Sequence, residues 1–227
     1  MGVGGKASMG RGLAPLISGI MPTRGRREYA RLAVDCFLAQ DYPKKELVIL
    51  DDEDCPSFAE TPTDPRIRYK RLPVRMSIAE KRNQCCEMAA GDLICHFDSD
   101  DWSSPDRVSS QVKTLLDSGK SLAGYHAILF YEPAVNRALR YAGFAGINLG
   151  SSYLYKRSLW TMARFTDRGQ RTEDYHFMRA ADREFVSKDG SRYLVARIHS
   201  DNTSHKDTSA DPWRPASISD LPAGFPR

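Results

Sequence analysis

Apolar residues in the first half of the chain fall into short runs separated by amphipathic stretches. Residues 13–21 form a run of buried-strand length, closed by the turn signal Pro22-Thr23-Arg24-Gly25. Residues 26–39 then carry Tyr29, Leu32, Ala33, Cys36 and Phe37 at helical spacing, until Asp41-Tyr42-Pro43 ends the pattern. A second apolar strand, 46–50, runs into Asp51-Asp52-Glu53-Asp54. Residues 55–75 are rich in proline and charge and read as a long loop with one short strand at 67–71. Residues 77–90 predict a helix capped by Ser77, with Glu80 completing a capping box and Gly91 stopping it. A third strand, 92–97, ends on Asp98, Asp100 and Asp101, and 105–116 predicts a helix with Pro105 in its first turn and Gly119 past its end.

Strands alternating with helices predict an α/β chain with a mostly parallel central sheet flanked by helices. Ligands of such sheets bind beyond the carboxyl ends of the strands. Thr23, Asp51, Asp52, Asp98 and Asp100 should all meet there. After Ser118 the alternation breaks down: strand-like runs at 123–131, 139–144 and 151–155 precede helices at 157–163 and 172–181 and a strand at 192–198. This half is expected to be antiparallel or mixed. The division expected is a flexible segment 1–12, halves 13–117 and 118–205 of one domain, and a loosely attached extension, 206–227, rich in Pro, Ser and Asp.

Composition narrows the class. The chain has 227 residues, 41% hydrophobic and 27% charged, ordinary for a globular protein with a full core. No apolar run approaches the roughly 20 residues of a membrane span, and the Gly-rich start lacks a signal peptide's apolar core, so a cytoplasmic protein is expected. Its five cysteines lie mostly in apolar segments and read as reduced core thiols; the adjacent pair Cys85-Cys86 has no zinc-ligand spacing. Net charge is +4, with basic clusters at Arg24, Arg26, Arg27, Arg31 and at Arg66, Arg68, Lys70, Arg71, Arg75. Such clusters suit phosphate-bearing ligands, or form a solvated face.

The acidic strand end carries the clearest chemistry. In an extended chain alternate side chains share a face about 6.5 Å apart, so Asp98 and Asp100 are expected to point the same way. Two carboxylates at that distance repel by about 2–3 kcal/mol at an effective dielectric of about 20. A hard divalent ion, Mg²⁺ or Mn²⁺, would offset that repulsion.

Over residues 15–205 the chain resembles the family 2 glycosyltransferases, whose single-domain GT-A fold takes a sugar from a nucleotide-sugar, usually with inversion. The resemblance rests on ordered blocks: Met21-Pro-Thr-Arg24, Ala39-Gln-Asp-Tyr-Pro43, Leu47-Val-Ile-Leu-Asp-Asp52, Glu80-Lys-Arg-Asn83, Ala90-Gly-Asp92, His96-Phe-Asp-Ser-Asp-Asp-Trp102, Glu173-Asp174 and His199-Ser-Asp-Asn-Thr-Ser204. It implies a Rossmann-like nucleotide-binding half and a mixed, acceptor-side half.

The resemblance also implies roles. Asp52, with Asp51, would meet the nucleoside of a nucleotide-sugar, a UDP-sugar being the expected donor, with Pro22, Thr23 and Arg24 nearby. Asp100 would ligate the metal, Asp98 would partner it or meet the ribose, and Ser99 lies between them. Lys81 and Arg82 would add positive charge near the diphosphate. His199 matches a position that can complete the metal shell, a lone histidine being as readily structural. His96 is expected to pack beneath the site. Asp174 would be the general base, with Glu173 orienting the acceptor, although acids also favour the first turn of a helix capped by a residue such as Thr172. The segment Asn148-Leu-Gly-Ser-Ser152, with Gly150, Ser151 and Ser152, would line the acceptor side, and Trp102 would stack on a sugar or fill the core.

Two departures bear on specificity: Pro22-Thr23-Arg24-Gly25 replaces the family's commoner Pro-Thr-Tyr-Asn, and His176 stands where many relatives carry an acid. The acceptor expected is a glycan or other cell-envelope precursor, with a lipid-linked sugar, a small molecule or a protein also open, and the basic clusters also allow a modified base in DNA. A nucleotidyltransferase and a non-catalytic nucleotide-sugar-binding protein are the competing readings.

Overall fold

The computed structural model describes residues 14–53, 57–58, 62–144, 146–167, 173–182, 184–202 and 206–226. The expectations placed on segment 1–12 and on Leu13, Asp54, Cys55, Thr172 and His205 lie outside the described residues. In chain order the strands are β1 Ile17–Thr23, β2 Lys45–Asp51, β3 Ile67–Arg71, β4 Leu93–His96, β5 Trp102–Ser103, β6 Leu122–Glu132, β7 Arg137–Ala142, β8 Leu154–Lys156, β9 Phe185–Asp189, β10 Leu194–Arg197 and β11 Trp213–Ala216. The helices are α1 Arg27–Leu38, α2 Ile78–Met88, α3 Arg107–Ser118, α4 Arg157–Met162 and α5 Glu173–Ala180.

The main sheet runs β11-β7-β6-β8-β4-β1-β2-β3. Pairings within β3-β2-β1-β4 are parallel, whereas β4-β8, β8-β6, β6-β7 and β7-β11 are antiparallel. β9 and β10 lie parallel to β6, and β5 is antiparallel to β10. Every residue of β1 is buried, as a strand covered on both faces requires. Ile20, Val48, Leu50 and Ile94 pack under α2 with Cys85, Cys86 and Ala89. Their neighbours Met21, Leu47, Ile49 and Cys95 face Ala33, Phe37, Val108 and Leu115 from α1 and α3. Burial of a side chain such as Phe37 or Leu47 stabilises the fold by about 1.5–3 kcal/mol. α2 starts where its capping box predicts, Ser77 Oγ accepting from Glu80 N at 3.1 Å and Glu80 Oε2 from Ser77 N at 2.9 Å.

Two local expectations are corrected. β1 continues through Pro22 and Thr23, which the sequence assigns to a turn. Ile20 O accepts from Phe97 N on the β4 side, so Pro22, two residues on, faces the same way, beyond the end of that ladder at Ile20–His96. There its missing N–H forfeits no bond. The extension is docked: β11 pairs with β7, and Leu221 and Phe225 are buried. Phe225 packs edge-on against Trp102 at 5.9 Å and Tyr131 at 5.3 Å.

Register decides where the site lies. Thr23 pairs with Asp51 and Ile20 with His96, so Thr23, Asp51 and the segment after β4 reach one edge of the parallel strands.

Candidate functional site

A cleft of about 230 Å³ opens at this edge, lined by Pro22, Thr23, Arg24, Arg26, Ile78, Lys81, Arg82, Asp98, Asp100, Asp101, Phe130, Leu149, Gly150, Ser151, Glu173, Asp174, Ala196, Asn202 and Lys206. It shares Arg24, Arg26, Ile78, Lys81 and Asn202 with an adjoining cleft of about 880 Å³ that also holds Asp52, Glu53 and Arg75.

The acidic segment is not the extended array that the sequence predicts. β4 ends at His96 and the chain turns, Asp101 N donating to Asp98 O at 3.4 Å. Asp98 and Asp100 therefore take different partners. Asp98 accepts from Arg82 Nη2 at 3.3 Å. Asp100 Oδ2 lies 2.9 Å from Arg26 Nη1 and 3.2 Å from both His199 Nε2 and Asn202 Nδ2. Burial raises the Asp100 carboxyl, but the His199 hydrogen bond and the Arg26 charge outweigh it and hold it below the usual carboxylate range. Burial, then Asp100 and Asp98, push Asp101 well above that range.

Arg82 is a buried tie rather than an exposed phosphate-binding hand. Its Nε donates to Glu173 Oε1 at 3.0 Å, its Nη2 reaches Asp98, and its Nη1 lies 3.0 Å from His96 Nδ1. Burial disfavours its charge, but Asp98, Glu173 and Asp174 more than compensate and raise its pKa. Glu173 is raised, first by burial and further by Asp174, against the pull of Arg82. His96 is fully buried beneath the cleft, its Nδ1 2.7 Å from Gly150 O. Burial and the Arg82 charge hold it well below its ordinary value, so it is neutral.

Asp174 lies in the first turn of α5, where its Oδ1 accepts from Tyr175 N at 2.7 Å. Its carboxylate lies over Gly150, in a 3₁₀ turn, Gly150–Ser152, that replaces the start of the strand predicted at 151–155. A Cβ on Gly150 would sit 2.7 Å from Asp174 Cγ and closer still to Oδ2.

Other candidate residues stand apart from the cleft. Asp51 is fully buried and accepts from Ser57 N at 2.6 Å and Tyr69 Oη at 3.1 Å, which makes it a loop anchor. Asp52 borders the larger cleft, but its carboxylate is shielded, accepting from Lys81 Nζ at 2.7 Å and Met76 N at 2.8 Å. Lys81 also donates to Thr23 O at 3.1 Å. Ser99 is fully buried, and Ser152 Oγ is used within the fold, donating to Leu149 O at 2.6 Å and accepting from Tyr125 N at 2.8 Å. Trp102 fills the core with Leu129, Val195 and Phe225. Sequence reasoning missed Arg26, Ile78, Asn202, Lys206, Phe130 and Ala196 as lining residues, whereas Leu149 lies in the segment 148–152 expected on the acceptor side. Arg26 carried a signal as part of a basic cluster, whereas the other missed residues arrive from distant elements with no local pattern.

Among the described residues no three His, Cys, Asp or Glu side chains gather as a ready-made metal cage. Asp100 Oδ2 and His199 Nε2 nonetheless converge, one hard oxygen and one imidazole nitrogen. That pair fits Mn²⁺ or Mg²⁺ if phosphate oxygens and water supply the remaining ligands.

Together the fold and site define an α/β domain with an acidic and basic cleft beyond the carboxyl ends of its parallel strands. The model described as Glycosyl transferase family 2 matches residues 18–190, and the chain belongs to that family. WcaA of Escherichia coli (strain K12), named as a candidate glycosyl transferase of colanic acid biosynthesis, is 31% identical over 151 residues, 64% of this chain and 52% of WcaA. TuaG of Bacillus subtilis (strain 168), named as a candidate glycosyltransferase of teichuronic acid biosynthesis, is 29% identical over 108 residues, 45% of this chain and 43% of TuaG. This chain thus spans about half the length of these relatives. Among solved structures, S. aureus TarS in complex with UDP-GlcNAc superimposes with a TM-score of 0.63 at 15% identity, covering 84% of this chain and 62% of that one. The mannosyltransferase PcManGT of Pyrobaculum calidifontis, in complex with GDP-Man and Mn²⁺, gives 0.60 at 17% identity, covering 81% and 56%. The shared fold is the GT-A fold.

Proposed function

We propose that this chain transfers a glycosyl group from a nucleotide-diphosphate sugar, a UDP-sugar first among them, to an acceptor hydroxyl with inversion at the anomeric carbon. The observation that carries this reading is that Asp100, with His199, and Asp174 come from separate elements and line or border one cleft. Asp174 takes the proton from the acceptor hydroxyl, whose oxygen forms a bond to the anomeric carbon as the bond to the diphosphate oxygen breaks. General-base help of this kind contributes about 10²–10⁴-fold. Asp100 and His199 would hold a Mn²⁺ or Mg²⁺ ion, which when bound neutralises charge on the departing diphosphate. Arg24 and Lys206 add positive charge to the same cleft. Glu173 is held by Arg82 beside the base, which suits a role in orienting Asp174 or the acceptor.

The acceptor class proposed is a cell-envelope glycan precursor, in keeping with the polysaccharide pathways for which WcaA and TuaG are named. No helix among the described residues is long and apolar enough to cross a membrane.

The test measures nucleoside diphosphate released from UDP- and GDP-sugars, with Mn²⁺ or with EDTA, using wild type and Asp174→Asn. Metal-dependent release that falls at least 100-fold in the variant is expected. Undiminished turnover in Asp174→Asn rules out its role as base, and pyrophosphate release from a nucleoside triphosphate would move the chain to the nucleotidyltransferases.

A further inference from the structure

Asp101 is the member of the acidic turn whose carboxyl takes no hydrogen bond from the described residues. Asp98 is held by Arg82, and Asp100 by Arg26, His199 and Asn202. Asp101 is only 7% exposed, yet it lines the cleft, and its side chain makes no hydrogen bond or ion pair among the described residues. Arg107 and Arg197 act on it through their charge while donating elsewhere, Arg197 Nη1 to Asp100 O at 3.0 Å, and Arg107 Nη2 to His96 O and Ser151 O, each at 2.9 Å. Buried polar groups in folded proteins nearly always have partners, and a carboxyl that faces a cleft without a donor from the fold keeps its hydrogen-bonding capacity for what enters the cleft. A group left so at the wall of a cleft points to a ligand that supplies the missing donors.

The surroundings specify which ligand. Trp102 pairs with Val195 across β5 and β10, which brings Asp101 beside Ala196, and Ala196 pairs in turn with Phe130 of β6. Phe130, Ala196 and Leu149 line the same cleft as Asp101. One carboxylate beside an apolar and aromatic wall is complementary to a pyranose, which offers hydroxyl donors along its edge and C–H groups on its face.

We infer that Asp101 accepts hydrogen bonds from hydroxyl groups of the sugar being transferred and so sets which donor sugar is used. The inference rests on the reading of the cleft as a nucleotide-sugar site. Asp101 is a sugar-binding residue, distinct from the Asp100–His199 pair next to it and from the base.

The test is calorimetric binding, with Mn²⁺, of UDP, UDP-glucose, UDP-galactose, UDP-GlcNAc, GDP and GDP-mannose to wild type and Asp101→Asn. The size of the effect is that of a hydrogen bond whose loss leaves a buried polar group unpaired. For the sugar nucleotide that wild type binds best, the ratio of its Kd to that of the bare nucleotide is expected to rise at least 10-fold in the variant. The Kd of the bare nucleotide should stay within about 2-fold. A parallel loss for bare nucleotide and sugar nucleotide would overturn the inference by assigning Asp101 to the metal or diphosphate. An unchanged ratio would overturn it by leaving Asp101 a structural residue. Failure of wild type to bind any of these ligands would overturn the donor reading itself, a different result from either. If Asp101→Asn does not fold, Asp101→Ser is read in the same way.

Discussion

The Asp174 carboxylate occupies the space that a side chain on residue 150 would fill, so the glycine is what lets the candidate base lie on the cleft floor. The same Gly150 offers its carbonyl to buried His96 at 2.7 Å, which ties the turn to the end of β4. Two positions far apart in sequence are thus interdependent.

Gly150→Ala should therefore act on chemistry more than on donor binding. The methyl group must push Asp174 aside, and a misplacement of about 1 Å costs on the order of 10²-fold in rate. Steady-state turnover is expected to fall by about that factor, with nucleotide Kd within about 3-fold of wild type. Equal turnover in wild type and variant would mean that the observed position of Asp174 is not the working one.

Arg26 stands against Asp100 where a metal ion would approach. A charge-assisted hydrogen bond contributes about 1.5–3 kcal/mol, so removing this competitor in Arg26→Ala should tighten Mn²⁺ binding to the nucleotide-free protein about tenfold. Calorimetric Mn²⁺ titration reads this directly. Weaker or unaltered affinity would show that the guanidinium and the ion do not compete.

His96 links stability to pH. Its folded pKa is depressed, so the unfolded chain binds the proton more readily, and the stability that follows from keeping it neutral is present above its unfolded pKa of about 6.5 and lost as pH falls. The difference in unfolding free energy between wild type and His96→Gln should grow from pH 5 to pH 7, by no more than about 1.4 kcal/mol per pH unit. Urea unfolding at several pH values measures it, and a difference independent of pH contradicts the neutral assignment.

Phe225 tests how firmly the C-terminal segment is attached. It packs against Trp102 and Tyr131 with Arg197 over its ring at 5.0 Å. Truncating a buried Phe typically costs about 3–5 kcal/mol, so Phe225→Ala should lower unfolding free energy by about 3 kcal/mol. A loss under about 0.5 kcal/mol, the range of surface substitutions, would mean that the segment is peripheral to the core.

The alternation of buried runs and amphipathic stretches was enough to read the parallel half, because strand and helix periods are local properties of the chain. The capping box at Ser77 and the strand at 67–71 lie where the pattern puts them. Short or broken strands escaped notice: β5 has two residues, β9 is half-exposed, and the four residues of β11 include Arg214 and Pro215. Their strand character comes from a partner strand rather than from their own composition, which is also why the tail looked loose.

At the site, sequence alone determined which acids to look for, those of 98–101 after a strand and the pair Glu173-Asp174 at a helix start, and the family to which they belong. Only the tertiary structure decided where those side chains point. Strand geometry predicts one shared face for Asp98 and Asp100, but β4 stops at His96, and each carboxylate turns to the cation that a different part of the fold brings near, Arg82 from α2 for one and Arg26 before α1 for the other. Direction and pairing depend on contacts between segments tens of residues apart, and no local pattern encodes them.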